Sequence, residues 1–323
     1  MLAAGRGERL RPVTDHLPKP LVPILNRPLL HRSVSWLGDA GVREVLVNVS
    51  HQAERFRQAA PRIAQETGVR IRLVQERRPS GPAGGLAACV PELRNVERCL
   101  VRHGDVVSDV PARDVLRTHA RLGADLTVVA TRVGDPWRFG VLDVDGEHVV
   151  GLREKPSDAA PGSLVSCGIY VVEAHVLEEL QSEGREDYDF KDVVAELLGR
   201  GARVAVHVTT GSWRDIGDVD SLLRANLEAL VDDSRLAEVV TGGPGGPGPG
   251  TWVQGEADID PRSLLSGRVL LGAGARVDAG AKVSDSVLGP GCVVGAGATV
   301  IRSVLLAGAA VPAGSRCLGA VVL

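Results

Sequence analysis

Aromatic side chains are scarce in this sequence. Its 323 residues include 3 Phe, 2 Tyr and 4 Trp, so aromatics make up only 3% of the chain. Extensive stacking of a ligand on aromatic rings is therefore not expected. Ala, Val, Leu and Gly dominate the composition instead, which predicts an aliphatic core.

Other absences exclude whole classes of protein. The 5 cysteines are odd in number and lack CxxC spacing, which favours reduced thiols in a cytoplasmic protein over disulfides or a zinc site. A net charge of −3, with Lys and Arg dispersed along the chain, argues against a nucleic-acid partner. Because no apolar run reaches about 18 residues, we expect no membrane span and no membrane partner.

Residues 1–240 alternate between strand-like and helix-like patterns. Leu29, Leu30, Val34 and Leu37 have helical spacing, and residues 44–49 then form a β-branched run. This alternation predicts an α/β domain with a mixed, mostly parallel sheet. Asp145-Gly146, flanked by two alternating runs, predicts a hairpin and hence an antiparallel excursion in that sheet.

The pattern changes after residue 240. Residues 241–251, "TGGPGGPGPGT", have the composition of a linker. In residues 252–323 an apolar residue recurs about every six positions, at Val277, Val283, Leu288, Val294, Val300 and Leu306. This period, punctuated by glycine, predicts a parallel β-helix. Many β-helices of this kind are acyltransferases, which generally need a histidine as base. The last histidine of this chain is His207, before the repeats begin, so we expect a structural or assembly module instead.

The opening stretch, "MLAAGRGERLRPVTDHLPKP", combines a glycine loop with cations. Gly5 and Gly7 allow the backbone to approach a ligand, and Arg9, Arg11 and Lys19 follow closely. The pattern predicts a polyanionic ligand, most simply a nucleoside triphosphate. The loop is neither a Rossmann fingerprint, whose third glycine is replaced by Leu10, nor a Walker A loop.

The same stretch, extended to "LAAGRGERLRPVTDHLPKPLVPILNRPLL", resembles the sugar-1-phosphate nucleotidyltransferases, also called nucleotide-sugar pyrophosphorylases. Further motifs follow in the family's order: "GPAGGL", "GD", "FGV", "REKP", "CGIY" and "WRDIGDVDSL". The resemblance spans nearly the whole chain and implies a Rossmann-like nucleotidyltransferase domain followed by a left-handed β-helix of hexapeptide repeats.

The reaction implied by this resemblance is attack of a sugar 1-phosphate on the α-phosphorus of an NTP, with release of pyrophosphate. Such chemistry depends on positioned phosphates and neutralised charge. By resemblance, Arg9 holds the leaving pyrophosphate and Lys19 lies near the α-phosphate. Asp105 and Asp215 are expected to bind Mg²⁺ together, because carboxylate oxygens are ligands that this ion prefers.

The resemblance also implies two sets of binding residues. The nucleotide is expected to contact Leu2, Ala3, Ala4, Gly5, Gly7, Arg9, Glu76, Gly81, Ala83 and Gly104. The sugar phosphate is expected to contact Gly140, Glu154, Lys155 and Gly168. Alternatively, Glu154 and Lys155 are only exposed charges at the end of a strand and do not bind the sugar phosphate.

Two positions depart from the family's pattern. Only Met1 and Leu2 precede Ala3, where the family has a longer apolar first strand, so we expect the native product to begin several residues upstream. Glu8 stands where the family often has Thr. We expect its carboxylate to turn outward or to pair with a cation such as Arg11.

The preferred product is a GDP-sugar made by an enzyme like the mannose-1-phosphate guanylyltransferases. Glu76 favours guanine, because its carboxylate suits the two adjacent donors of that base. The alternative is that Glu76 only ends a strand and points to solvent, without contacting the base. Thymidylyl or uridylyl transfer and a catalytically inactive regulatory subunit also stay open as functions. The β-helix is expected to support a homo-oligomer.

Overall fold

The computed structural model describes residues 1–76, 78–93, 96–181, 187–232 and 249–323. These residues form two compact units. The first comprises Met1–Gly7, Leu17–Leu21 and Leu29–Asp215, and the second comprises Glu8–His16, Val22–Pro28 and Ile216–Leu323. The predicted boundary at residue 240 and residues 241–248 of the predicted linker lie outside the described residues, so the predicted domain limits stay a prediction.

The helices are α1 (Val13–His16), α2 (Leu29–Asp39), α3 (Ala53–Thr67), α4 (Gly81–Cys89), α5 (Ala112–Leu122), α6 (Ala174–Gln181), α7 (Phe190–Gly199) and α8 (Val219–Leu230). Single 3₁₀ turns span Glu8–Leu10, Lys19–Leu21, Val90–Glu92 and Pro136–Arg138. The helix predicted from residue 29 is confirmed as α2, whose apolar stripe is buried. No helix in the described ranges has the length and apolarity needed to cross a membrane.

The strands before residue 216 are β1 (Pro23–Ile24), β2 (Arg27–Pro28), β3 (Glu44–Val49), β4 (Arg70–Gln75), β5 (Arg98–Arg102), β6 (Val106–Ser108), β7 (Leu126–Arg132), β8 (Gly140–Asp145), β9 (His148–Glu154), β10 (Leu164–Glu173), β11 (Val204–Val208) and β12 (Trp213–Asp215). Within the first unit, β3 and β4 form a parallel pair, and β12 and β6 form an antiparallel ribbon. A six-stranded sheet has the order β5-β10-β7-β11-β9-β8.

The six-stranded sheet is mixed, and the expectation of a mostly parallel sheet was wrong. Strands β7 and β11 are parallel, whereas β10 runs antiparallel to both β5 and β7. The predicted hairpin at Asp145-Gly146 is confirmed between β8 and β9. After this hairpin the chain re-enters the sheet centre as β10, which reverses the strand direction there. The first unit is therefore α/β with mixed sheets.

The second unit contains stacked parallel strands: β13 (Thr251–Val253), β14 (Asp258–Ile259), β15 (Leu264–Leu271), β16 (Arg276–Val277), β17 (Lys282–Leu288), β18 (Val293–Val294), β19 (Thr299–Ile301), β20 (Val304–Leu305), β21 (Ala310–Val311), β22 (Arg316–Leu318) and β23 (Val321–Val322). Leu264 pairs with Lys282, and Lys282 pairs with Thr299. Successive rungs are thus about three six-residue periods apart. The periodic residues, Val277 to Leu306 as named above, are all buried.

A narrow apolar cavity lies beside the amino terminus in the first unit. Leu2 forms isolated parallel bridges to Asn48 of β3 and to His103 just after β5. A cavity of about 240 Å³ lies next to Leu2, between the starts of β3 and β5. It is lined by aliphatic side chains such as Leu37, Val45 and Leu100. The expectation of an upstream start stays a prediction.

The terminal ammonium belongs to Met1, which lines this cavity and is buried. It donates a hydrogen bond to the carbonyl oxygen of Leu46 at 2.7 Å, and burial lowers its pKa. Burial of this ammonium therefore makes its positive charge unfavourable.

We predict that a four-residue amino-terminal extension of alternating Val and Ala stabilises the chain. The added strand would fill the cavity, pair with both neighbours and replace the buried ammonium by an amide. The expected gain is about 2 kcal/mol in the free energy of unfolding, measured by urea denaturation. A Gly-Ser extension of the same length serves as the control, and equal stability of the two extended chains would refute the prediction.

Candidate functional site

Three predicted site residues of the first unit meet around one ammonium group. The Nζ atom of Lys19 lies 2.5 Å from Oδ2 of Asp105 and 3.8 Å from Oδ1 of Asp215. Lys19 opens the 3₁₀ turn Lys19–Leu21, and its side chain is only 11% exposed. The cation and both carboxylates are thus held at one place although they are distant in sequence.

The ribbon of β6 and β12 explains why the two carboxylates converge. Val106, the residue after Asp105, pairs directly with Asp215 in the antiparallel register. The backbone on both sides of the ribbon therefore brings the two side chains to the same end. The sequence predicted both aspartates but not the strand pairing that joins them.

The electrostatics of Asp105 are dominated by two opposing effects. Burial alone would raise its pKa, but the charge of Lys19 and the hydrogen bond from its ammonium outweigh burial and hold the pKa at about 2. Because this pKa lies below the ordinary value of 3.8, ionised Asp105 stabilises the folded chain above that value. The contribution is lost as the pH falls towards 2.

The cluster has the chemistry of a divalent-cation site. Asp105 and Asp215 offer hard carboxylate oxygens that face one positive charge, and a Mg²⁺ ion requires such oxygens. Within the described ranges, no group of three or more His, Cys, Asp or Glu side chains is arranged to hold a metal. Phosphate oxygens and water would have to complete the coordination of an ion held by these two aspartates.

The predicted nucleotide loop lies in the first unit up to Gly7. The amide of Ala3 donates to Oδ1 of Asn48 at 2.6 Å, and Leu2 is held by the bridges described above. Ala3 and Ala4 are buried, while Gly5 is exposed, and a Cβ added there would have no atom within 4 Å. Gly7 has a φ of 64°, which favours glycine.

Arg9 belongs to the second unit, where its side chain is exposed on the turn Glu8–Leu10. Glu8 is exposed as well, in agreement with the expectation that it turns outward. Arg11 forms an ion pair with Asp15, at 3.3 Å between Nε and Oδ1.

Glu76 is buried rather than facing solvent, being only 7% exposed. One carboxylate oxygen accepts a hydrogen bond from Nδ2 of Asn48. The other accepts from the amide of Ser80 at 3.2 Å and from its hydroxyl at 2.9 Å. Glu76 thus joins β3 to the loop before α4. A nucleotide base bound here would have to share the Glu76 carboxylate with the donors of Asn48 and Ser80.

Asn48 is the residue that the sequence reasoning missed in this region. It contacts both the amino-terminal loop and Glu76. A Cβ at Gly85 would lie 2.2 Å from its Nδ2 atom, so α4 can pack here only with glycine at that position. A lone polar residue inside the apolar run "VLVNV" was the available signal.

Gly81 and Ala83 pack against the backbone of Tyr188. A Cβ at Gly81 would lie 2.3 Å from the Tyr188 carbonyl oxygen. That same oxygen accepts a hydrogen bond from the amide of Ala83 at 3.1 Å, and Ala83 is fully buried. The amide of Ala83 is therefore occupied internally.

Gly104 and Gly168 surround His103 beside the carboxylates. The amide of Gly104 donates to the Leu2 carbonyl at 2.8 Å. Gly168 has a φ of 68°, and a Cβ there would lie 2.9 Å from Cγ of His103. Gly168 therefore permits close packing of the "CGIY" motif against His103, whereas Gly104 permits close packing against the backbone of Leu2 and the side chain of Pro20.

The predicted sugar-phosphate residues Gly140 and Glu154 are register partners on β8 and β9. Lys155 follows with a φ of 45°, and its ammonium lies 2.9 Å from Oε1 of Glu154. The two charges thus form an exposed pair next to the glycine, at the open end of the β8–β9 hairpin.

We predict that Lys19→Met raises the pKa of Asp105 above its value of about 2, because the ammonium no longer opposes the effect of burial. An NMR titration that follows the side-chain carboxyl carbon of Asp105 measures this shift. Lys155→Met is the control and should leave the pKa of Asp105 unchanged. An unshifted Asp105 in Lys19→Met would contradict the electrostatic account.

We predict that Gly168→Ala destabilises the chain by about 3 kcal/mol, since backbone strain and overpacking against His103 add together. Gly162→Ala is a matched control, because Gly162 also has a positive φ, 86°, but a Cβ added there would have no atom within 4 Å. The control should lose about 1 kcal/mol, from strain alone. Urea unfolding measures the free energy of unfolding of both variants. Equal losses of stability would contradict the prediction, because they would show that the His103 side chain can move aside at no cost.

Known proteins of one family are similar to most of this chain. Residues 1–231 match the family model described as nucleotidyl transferase. The chain is 32% identical over 290 residues to a mannose-1-phosphate guanylyltransferase of Mycobacterium tuberculosis, covering 89% of this chain and 78% of the relative. It is 31% identical to the catalytic subunit beta of that enzyme in Danio rerio, covering 82% of this chain and 72% of the relative.

A solved structure from Bacillus anthracis, described as a putative glucose-1-phosphate thymidylyltransferase in complex with a sucrose, has a similar fold. The TM-score is 0.64 at 26% identity, covering 75% of this chain and 95% of that one. The family model spans more than half of this chain, and relatives above 30% identity cover most of it. The chain therefore belongs to the sugar-1-phosphate nucleotidyltransferase family.

Proposed function

We propose that this chain is a Mg²⁺-dependent transferase that joins an NTP to a sugar 1-phosphate and releases pyrophosphate. The observation that carries the proposal is the cluster of Lys19, Asp105 and Asp215 in a chain of this family. One cation and two hard carboxylates at one place suit a reaction in which several phosphate charges must be brought together.

The reaction forms one bond and breaks one. An oxygen of the sugar 1-phosphate attacks the α-phosphorus, and the bond from that phosphorus to the bridging oxygen of the β-phosphate breaks. Bound Mg²⁺ would neutralise phosphate charge and orient the phosphates. Asp105 and Asp215 would hold the ion, and Lys19 would reduce the repulsion between the two reacting phosphates.

The remaining predicted residues would bind the substrates. The backbone of Leu2 to Gly7 and the side chain of Arg9 would hold the β- and γ-phosphates. Gly104 would allow the chain to approach the nucleotide closely. Gly140, Glu154, Lys155 and Gly168 would contact the sugar phosphate, with Lys155 supplying a positive charge.

GTP is the proposed nucleotide. The relatives from Mycobacterium tuberculosis and Danio rerio are named as guanylyltransferases, which supports this choice. Glu76 would contribute through lone pairs not used by Asn48 and Ser80, because a carboxylate has about four acceptor sites. The name of the Bacillus anthracis structure keeps thymidylyl transfer as the second candidate.

We also propose that the stacked strands of the second unit form a left-handed β-helix that supports a homo-oligomer. The parallel strand ladders, and the burial of the apolar residues that recur about every six positions, favour the β-helix. The five cysteines are free thiols, which fits the proposed cytoplasmic location.

The test is pyrophosphate release from a matrix of GTP, UTP, dTTP and ATP against several sugar 1-phosphates, with Mg²⁺ present. We expect GTP with mannose 1-phosphate, or with a related sugar phosphate, to give the fastest turnover. Equal or faster turnover with dTTP or UTP would overturn the guanine assignment and leave the transferase proposal standing. No release from any pair would overturn both.

Asp105→Asn and Asp215→Asn belong in the same assay. Each should lower turnover by several orders of magnitude while the fold survives, because a neutral amide is a poor ligand for Mg²⁺. Asp143→Asn, which alters an exposed ion pair with Arg153, is the matched control and should keep normal turnover. Normal turnover of both site variants at saturating Mg²⁺ would exclude the two-aspartate site.

A further inference from the structure

A buried arginine next to the carboxylate cluster is not used by the proposed mechanism. Arg102 ends β5 and is only 2% exposed. Its Nη2 atom donates to the carbonyl oxygen of Val106 at 3.0 Å, and its Cζ atom lies 4.7 Å from the ring centroid of Trp36. Among the described residues, its Nε and Nη1 atoms have no hydrogen-bond partner.

This arrangement costs stability. Burial lowers the pKa of Arg102 to about 10, so the side chain still carries its charge at neutral pH. Stacking on an aromatic face recovers part of the desolvation cost, but each of the two nitrogens without a hydrogen-bond partner is unfavourable. An apolar side chain of similar length would pack here at lower cost. Stability alone therefore does not account for an arginine at this position.

The contacts of Arg102 lead directly to the two aspartates. Val106 follows Asp105 in sequence and pairs with Asp215 across the ribbon of β6 and β12. One guanidinium group thus holds the carbonyl of the residue that follows Asp105 and faces Asp215 across the ribbon.

Trp36 holds the same ribbon segment a few residues further on. Its indole Nε1 donates to the carbonyl oxygen of Val110 at 2.5 Å. Between these two points, the amide of Asp109 pairs with the Ser212 carbonyl at 3.2 Å. The stacked pair of Arg102 and Trp36 therefore fixes the segment at both ends from inside the core.

We propose that Arg102 is a positioning residue for the carboxylate pair. By holding the Val106 carbonyl, it keeps the ribbon in the one register and position that place Asp105 and Asp215 around a shared cation. The proposal rests on the proposed function, in which these aspartates bind Mg²⁺. Arg102 itself touches neither substrate nor ion, and it acts through the backbone.

The test compares Arg102→Met with the unmodified chain in three measurements. The thermal unfolding midpoint should stay unchanged or rise, because the unsatisfied charge is removed. Amide hydrogen exchange in the metal-free chain should become at least about tenfold faster in β6 and β12 and stay unchanged in β7 and β10. Binding of Mn²⁺ as a probe, measured by calorimetry, should weaken by about tenfold, the lower end for loss of a supporting contact.

Leu126→Ala in β7 is the matched control. Leu126 is fully buried in the same unit, so the variant should lower the unfolding midpoint. It should leave exchange in the ribbon and the affinity for Mn²⁺ unchanged. A purely structural role of Arg102 predicts the opposite pattern for Arg102→Met, with a lower midpoint and normal Mn²⁺ binding.

Arg102→Lys keeps the test decisive if the methionine variant does not fold. Lysine keeps the charge but loses the planar guanidinium that reaches Val106 while stacking on Trp36. We expect faster exchange in the ribbon and weaker Mn²⁺ binding in this variant too. Normal exchange and normal Mn²⁺ binding in whichever variant folds would overturn the positioning role.

The proposed function and the positioning role fail in different ways. If the unmodified chain neither binds Mn²⁺ nor releases pyrophosphate, the proposed function is wrong, and the proposal for Arg102 falls with it. If the unmodified chain does both and Arg102→Met matches it in all three measurements, only the positioning role is wrong.

Discussion

The contact between Lys19 and Asp105 is the interaction on which the candidate site depends. It joins a turn near the amino terminus to the loop after β5, and the same ammonium faces Asp215 at the end of β12. Burial alone would raise the pKa of Asp105, and the charge of Lys19 lowers it. The charge of Lys19 therefore keeps Asp105 ionised where a divalent cation and phosphates are proposed to bind.

Backbone contacts of the surrounding fold keep these three side chains together, and His103 lies close enough to act on the charge of Asp105. The ribbon of β6 and β12 sets the spacing of the two aspartates, and glycines at 104 and 168 let neighbouring segments come close enough. Arg102 and Trp36 hold the backbone of this segment, and the burial of Arg102 costs stability, as expected where a function constrains the core.

Much of the candidate site could be predicted from local sequence. The glycine loop, Lys19 and the two aspartates lie in short motifs whose residue types already indicate phosphate and metal chemistry. Glu76 was harder, because its hydrogen bonds from Asn48 and Ser80 arise only when β3 and the loop before α4 are packed together. The mixed character of the six-stranded sheet was missed for a similar reason, since strand-like patterns carry no strand direction.

The sequence by itself determined where strands, helices and turns form, since hydrophobic period, glycine and turn residues act over a few neighbouring positions. Helix α2, the hairpin at Asp145-Gly146 and the six-residue period of the second unit all follow from such local preferences. Only the tertiary structure decided the strand order, the register of Val106 against Asp215 and the buried place of Arg102. These features depend on contacts between residues far apart in the chain, whose energies are set by packing rather than by any local pattern.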